Sequence, residues 1–200
     1  MRKALAHLKS SDPVLASIIE RVGPCRITYR EPVFASLVRS IVFQQLNGRA
    51  AAKIYDRLVQ AAGGELTPEA LSKMTDAEYR AAGISPQKLS YLRDLAARTA
   101  SGEINFARLP QLSDAEVIEH LTRVKGVGAW TAQMFLIFAL RRTNIMPTND
   151  LGVQLAIKRY YRKRQLPKPQ HILKLAKNWE PYCSVACWYL WRSMDGQIEV

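Results

Sequence analysis

Two short strings in this chain carry residue types whose spacing could do chemistry. In the first, Lys125-Gly126-Val127-Gly128 joins one apolar helical run to the next. Glycine admits positive φ and close backbone approach, and the amides that open the second helix point outward at the positive end of its dipole. Such a turn cradles a phosphate. A bare Gly-x-Gly would equally serve an ordinary helix-to-helix connection; the basic surroundings favour contact with a DNA backbone, with Lys125, Gly126, Val127, Gly128 and Thr131 as the phosphate-binding candidates. The second string ends in Asp150, the only acid between Leu121 and Lys174, a stretch that carries eleven Lys or Arg. A carboxylate at a helix start, opposite a predicted anion site, faces both a helix dipole and nearby cations. Its plain alternative is an N-cap, a role also open to Thr148 or Asn149.

The elements that must position these strings read as helix after helix. Ser11-Asp12-Pro13 opens a helix running to Arg21, which Gly23-Pro24 closes. From Pro32, the residues Phe34, Leu37, Val38, Ile41, Val42 and Leu46 recur at three- and four-residue steps, predicting an amphipathic helix that ends near Asn47-Gly48. Further helices are expected over 49–62, 67–73, 86–101, 129–141 and 150–162, with Pro169 and Pro181 opening the last two. Thr75-Asp76-Ala77-Glu78 and Ser113-Asp114-Ala115-Glu116 both match the capping box and mark helix starts. No convincing period-2 strand appears, so the reading is about ten helices and no sheet, an all-α fold. Residues 102–110 are the candidate crossing between two lobes.

Composition bounds the function. The 200 residues suffice for one domain or two small lobes, and a hydrophobic fraction of 48% excludes disorder as the main state. The chain lacks a run of about 18 apolar residues, and MRKALAHLKSSDPVL has no apolar core before Asp12 and Pro13, so neither a membrane span nor export is expected. Cys25, Cys183 and Cys187 are too few and too scattered for a disulfide framework. They fit a reducing, intracellular setting: the cytoplasm or nucleoid, or the nucleus in a eukaryote. A formal charge of +12 asks for an acidic partner.

The turn Val124-Lys125-Gly126-Val127-Gly128, followed by Met146-Pro147-Thr148-Asn149-Asp150, resembles the helix-hairpin-helix, Gly/Pro/Asp superfamily of base-excision DNA glycosylases. The segments IVFQQLNGRAAAKIYDRL (41–58) and NWEPYCSVACWYLWR (178–192) are similar to the 3-methyladenine DNA glycosylase branch, so the resemblance extends over most of the chain. It implies two helical lobes flanking a cleft, drawn here as 1–30 with 111–200 and as 31–110, together making a single monomeric unit over 1–200. Two parts found in some relatives are not expected: an N-terminal β-rich domain, and an iron–sulfur cluster, which needs four cysteines after the catalytic segment.

The resemblance also implies roles. Asp150 falls on the catalytic carboxylate, which stabilises oxocarbenium-like charge on the sugar and orients or deprotonates the attacking water. Relatives that also cleave the strand place a Schiff-base lysine two residues after the second glycine. Here that residue is Trp130, which implies a monofunctional enzyme using water. Trp191 falls on the pocket tryptophan of the last helix, Met134 stands where some relatives carry an aromatic, and Gln44 completes the base-pocket set. Trp179, Trp188 and Tyr189 fit the core equally well.

Gln44, Gln45 and Leu46 fall where relatives push residues into the gap left by a flipped base, with Gln45 and Leu46 as the intercalation candidates. On a helical wheel Gln45 sits within the apolar stripe, where an unpartnered amide would cost about 1–3 kcal/mol. A DNA contact explains it, as would bonds to the helix's own terminal carbonyls.

The combined expectation is a glycosylase of base excision repair. It would flip an alkylated purine such as 3-methyladenine out of double-stranded DNA and hydrolyse its N-glycosidic bond, leaving an abasic site. The rivals are a glycosylase/lyase for oxidised bases and a non-catalytic helix-hairpin-helix binding module. No cofactor or metal centre is expected beyond an ion shared by the hairpin carbonyls and a DNA phosphate.

Overall fold

A computed structural model describes residues 1–46 and 48–194. Among these, twelve α-helices and one 3-10 turn are formed and no strand. The described residues divide into two compact units: 1–29 with 141–194, and 30–140. The segment 111–140, which sequence reading grouped with the terminal residues, packs in the second unit, and 102–110 also stays there. The helix that ends this segment, Ala129–Phe138, packs on the helix Phe34–Phe43 of the second unit.

In the first unit, α1 (Arg2–Ser11) and α2 (Pro13–Val22) pack against each other. Asp12 separates them and caps α2: Oδ1 accepts from Val14 N–H at 2.9 Å and Leu15 N–H at 3.0 Å. Its Oδ2 accepts from Tyr161 Oη at 2.6 Å and Trp179 Nε1 at 2.8 Å. A buried carboxylate is tolerable because its two oxygens accept four hydrogen bonds. The sequence pattern did not call for α1; its buried residues are only Ala4 and Leu8.

The rest of the unit is α10 (Leu151–Tyr160), α11 (Pro169–Ala176) and α12 (Cys183–Arg192). Helix α12 is buried from Cys183 through Leu190, so it forms the axis on which α2 and α10 pack. Trp179, Trp188 and Tyr189 belong to this core. Burial pushes the Cys183 thiol up to about 12 and the Cys187 thiol well above its ordinary value, leaving both as small core hydrophobes.

The second unit is built around α3 (Phe34–Phe43), whose Leu37, Val38, Ile41 and Val42 are fully buried. Helices α4 (Gly48–Ala61), α7 (Pro86–Ala100) and α9 (Ala129–Phe138) pack on it. Between them come α5 (Pro68–Lys73), capped by Thr67, and α6 (Asp76–Ala82), with the expected Thr75/Glu78 capping box. The box at Ser113/Glu116 likewise opens α8 (Asp114–Thr122), which packs on α9. Sequence periodicity carried α3 on to Asn47, which lies outside the described residues. The helix instead stops at Phe43, and Gln45 adopts φ +56°.

Candidate active site and nucleic-acid interface

In the first unit the loop 142–150 is pinned before it delivers Asp150. The buried Ser184 of α12 donates to Arg142 O at 2.7 Å and accepts from Ile145 N–H at 3.0 Å, while Ser184 N–H donates to Thr143 O at 2.9 Å. The Cys187 thiol donates to Met146 Sδ at 3.6 Å. From the other side Gln154 Nε2 donates to Thr148 O at 2.9 Å. Asp150 N–H closes the turn onto Pro147 O at 3.0 Å.

Asp150 is the N-cap of α10, as its plain alternative required, with Oδ1 accepting from Val153 N–H at 2.8 Å. The same oxygen accepts from Trp191 Nε1 at 2.8 Å. The carboxylate is 8% exposed at the positive end of a helix dipole, so one anion serves both fold and site. Gly152 makes the pairing possible. A Cβ there would lie 3.0 Å from Trp191 Cδ1 and 3.2 Å from Asp150 Oδ1. Sequence reasoning found Asp150 and Trp191 but missed Ser184, Gln154 and Gly152, none of which belongs to a motif.

In the second unit α8 and α9 are joined by the glycine hairpin. Gly126 has φ +74°, and the ring of Tyr91 lies directly where its Cβ would be. Only glycine fits on both counts. Lys125 N–H donates to Asp94 Oδ2 at 2.8 Å and Val127 N–H to Val124 O at 3.0 Å. Burial raises the Asp94 carboxyl, but hydrogen bonds from Lys125 N–H and Arg98 outweigh it and leave it below the usual carboxylate range. Gly128 caps α9 without a side chain, and the helix's own ladder begins only with Ala132 N–H to Gly128 O at 3.1 Å. The preceding amides form an N-terminus of the kind that binds phosphate.

The phosphate candidates therefore sort by position. Lys125, Gly126 and Gly128 are exposed, whereas Val127 is buried and plugs the turn from below. Thr131 is buried too, and its hydroxyl accepts from Gln44 Nε2 at 3.2 Å. Gln44 Nε2 also donates to Gly126 O at 2.9 Å, so this amide ties the end of α3 to the hairpin. Met134 is half-buried on α9. Trp130 is 43% exposed in the first turn of α9, so it is not a core residue.

Gln45 does not lie within the apolar stripe of α3, because the helix ends before it. Gln45 is exposed outside α3, and Leu46 beside it is half-buried. Among the described residues Gln45 does not bond the helix's terminal carbonyls. Lys88 of α7 does so, its Nζ donating to Val42 O at 2.7 Å and Gln44 O at 2.8 Å. Desolvation lowers the Lys88 pKa from its ordinary value.

Among the described residues no helix is long and apolar enough to cross a membrane. A family model described as HhH-GPD superfamily base excision DNA repair protein matches residues 38–181. The chain is 33% identical over 199 residues to DNA-3-methyladenine glycosylase 1 of Schizosaccharomyces pombe, covering 96% of this chain and 87% of that protein. The structure is similar to that of the S. pombe 3-methyladenine DNA glycosylase in complex with abasic DNA, with a TM-score of 0.86 at 34% identity over 96% of both chains. A DNA-3-methyladenine glycosidase from Bacillus halodurans gives a TM-score of 0.83 at 37% identity, over 96% of this chain and 89% of that one.

Proposed function

The chain belongs to the HhH-GPD superfamily of base excision DNA repair proteins, and we infer that it is a monofunctional DNA glycosylase. It acts on duplex DNA in the cell and excises alkylated purines such as 3-methyladenine, leaving an abasic site. The observation that carries the reading is Asp150, a nearly buried carboxylate fixed by an indole N–H at 2.8 Å and a backbone amide at 2.8 Å.

In this reading the hairpin amides and Lys125 hold a phosphate while the damaged nucleotide is turned out of the stack. Within the unit 30–140, Trp130 and the flexible Met134 are faces suited to a base, with Gln44 tying that side to the hairpin; within the other unit, Trp191 is such a face beside Asp150. An alkylated purine carries a positive charge, so aromatic faces attract it by about 0.5–2 kcal/mol each. When the bond from C1′ to the base nitrogen breaks, its electron pair leaves with the base and neutralises that charge. A leaving group of this kind needs no general acid, and one carboxylate is enough. Asp150 stabilises the positive charge that develops on the sugar, water adds at C1′, and its proton passes to Asp150 or solvent. No amine is available at position 130 for a Schiff base, which favours hydrolysis over β-elimination. An ion bridging the hairpin to a phosphate would share the Val124 and Gly126 carbonyls. Each already accepts one hydrogen bond and keeps a second lone pair.

The test is release of free bases from methylated duplex DNA by wild type and Asp150→Asn, with strand nicks scored before and after alkali. Asparagine still caps a helix, so the variant should fold and bind DNA while release falls by about 10² to 10³. Nicks should appear only after alkali. Undiminished release by Asp150→Asn would remove the carboxylate from the mechanism, and nicking without alkali would restore the lyase alternative.

A further inference from the structure

The turn that follows α3 is held in a costly shape. Gln45 is not glycine, yet it sits at φ +56°, outside the helix and exposed. A non-glycine residue persists in the left-handed region only where its surroundings over-determine it. Two anchors do so. The Gln44 side chain donates to Gly126 O at 2.9 Å and Thr131 Oγ1 at 3.2 Å, which fixes the turn to the hairpin. Lys88 Nζ donates to Val42 O at 2.7 Å and Gln44 O at 2.8 Å, which fixes the carbonyls on either side of the helix end.

An ammonium is well suited to this place. It meets the negative end of the α3 dipole, offers three donors on a flexible stem, and satisfies carbonyls that a continued helix would have used. Among the described residues Lys88 forms no ion pair with a carboxylate. Its bonds go to backbone oxygens, so what it fixes is a chain direction.

We propose that Lys88 is a positioning residue for damage recognition: by clamping the carbonyls of Val42 and Gln44 it holds Gln45 poised to enter the space that a flipped base vacates. This rests on the glycosylase reading above. The Gln44 contacts tie the same turn to the phosphate-binding hairpin, so grip on the backbone and placement of the wedge are mechanically joined within one unit. Hairpin binding alone needs no Lys88, and it should survive the loss of the clamp.

Two duplexes serve as probes, one undamaged and one carrying a tetrahydrofuran abasic-site analogue, with affinities measured by fluorescence anisotropy. Wild type is expected to prefer the tetrahydrofuran duplex. Lys88→Met should lose about tenfold of that preference, while affinity for the undamaged duplex changes less than about twofold. Lys88→Arg, which keeps a cation within reach of the carbonyls, should recover part of it. The deciding arm is the double variant Lys88→Met/Gln45→Ala, which should be no worse than Gln45→Ala alone, because the clamp acts only through the wedge.

Additive losses in the double variant, or equal loss on both duplexes, would overturn the proposal and leave Lys88 a purely structural cap. A Lys88→Met protein with wild-type preference would overturn it as well. Should Lys88→Met fail to fold, Lys88→Gln carries the same cycle with a neutral two-donor amide on a shorter stem in place of the ammonium. No preference by wild type itself would instead overturn the damage-recognition reading on which the proposal stands.

Discussion

Oδ1 of Asp150 accepts from both Val153 N–H and Trp191 Nε1, so any displacement of the indole is felt by the carboxylate. Gly152 is the place to displace it. A methyl group there would press on Trp191 Cδ1 at 3.0 Å and on Asp150 Oδ1 at 3.2 Å, so the neighbours must give by a few tenths of an ångström. Against that strain, alanine within a helix is favoured over glycine by about 1 kcal/mol. The two effects oppose each other in stability but not in catalysis. Gly152→Ala is therefore expected to shift the melting temperature by no more than about 4 °C. Single-turnover base release should slow by about tenfold, because catalytic geometry is sensitive to sub-ångström displacement. Wild-type release from this variant would separate the indole–carboxylate bond from the chemistry. Asp150 was legible in the sequence as a lone acid in a basic stretch, at a helix start. Its partner's geometry was not, because nothing at 150–152 encodes an indole arriving from α12.

At the scale of elements, legibility followed locality. The capping boxes at Thr75 and Ser113 and the prolines in the first turns of α2, α5, α7 and α11 are decided within four residues, and they appear where the sequence puts them. The end of α3 is decided by a lysine from α7, so its apolar periodicity ran past the true boundary. Helix α1 was missed for a related reason, since Asp12 both ends it and begins α2. The hairpin combines the two cases: its glycines are visible in sequence, but the Tyr91 ring that forbids a Cβ at Gly126 comes from α7. Gly126→Ala should therefore cost more than the 1–2 kcal/mol or so of a left-handed alanine, because the ring must move as well. Thermal unfolding should show a clear drop, and affinity for undamaged duplex should fall with it. Adding Tyr91→Ala should restore room without restoring φ, so recovery should be partial. Full recovery would mean that the positive φ is not required, and no recovery that the Tyr91 contact is unimportant.

At the scale of the whole molecule, the partition at 29/30 and 140/141 divides the candidate residues between the two units. The unit 30–140 presents the hairpin and the Gln45 turn, which in the proposed reading grip DNA and sense a gap. The other carries Asp150 and Trp191. The break was not legible because the cue followed, a glycine and proline near 102–110, marks a turn within a unit rather than a crossing between units. Charge, by contrast, was legible at once, since a sum over the chain does not depend on how it folds. The net +12 makes a quantitative claim possible. Binding to duplex DNA releases counterions, so the logarithm of the affinity should fall linearly with that of salt concentration, by about 0.9 for each phosphate neutralised. Lys125→Ala removes one cation from the hairpin while leaving its amides in place. The slope for this variant should be shallower by about one, with affinity lost about equally on damaged and undamaged duplexes. A slope unchanged from wild type would place Lys125 away from the phosphates. A loss confined to damaged DNA would instead give it a part in recognising the lesion, a role outside the proposed contact of this exposed ammonium with the DNA backbone.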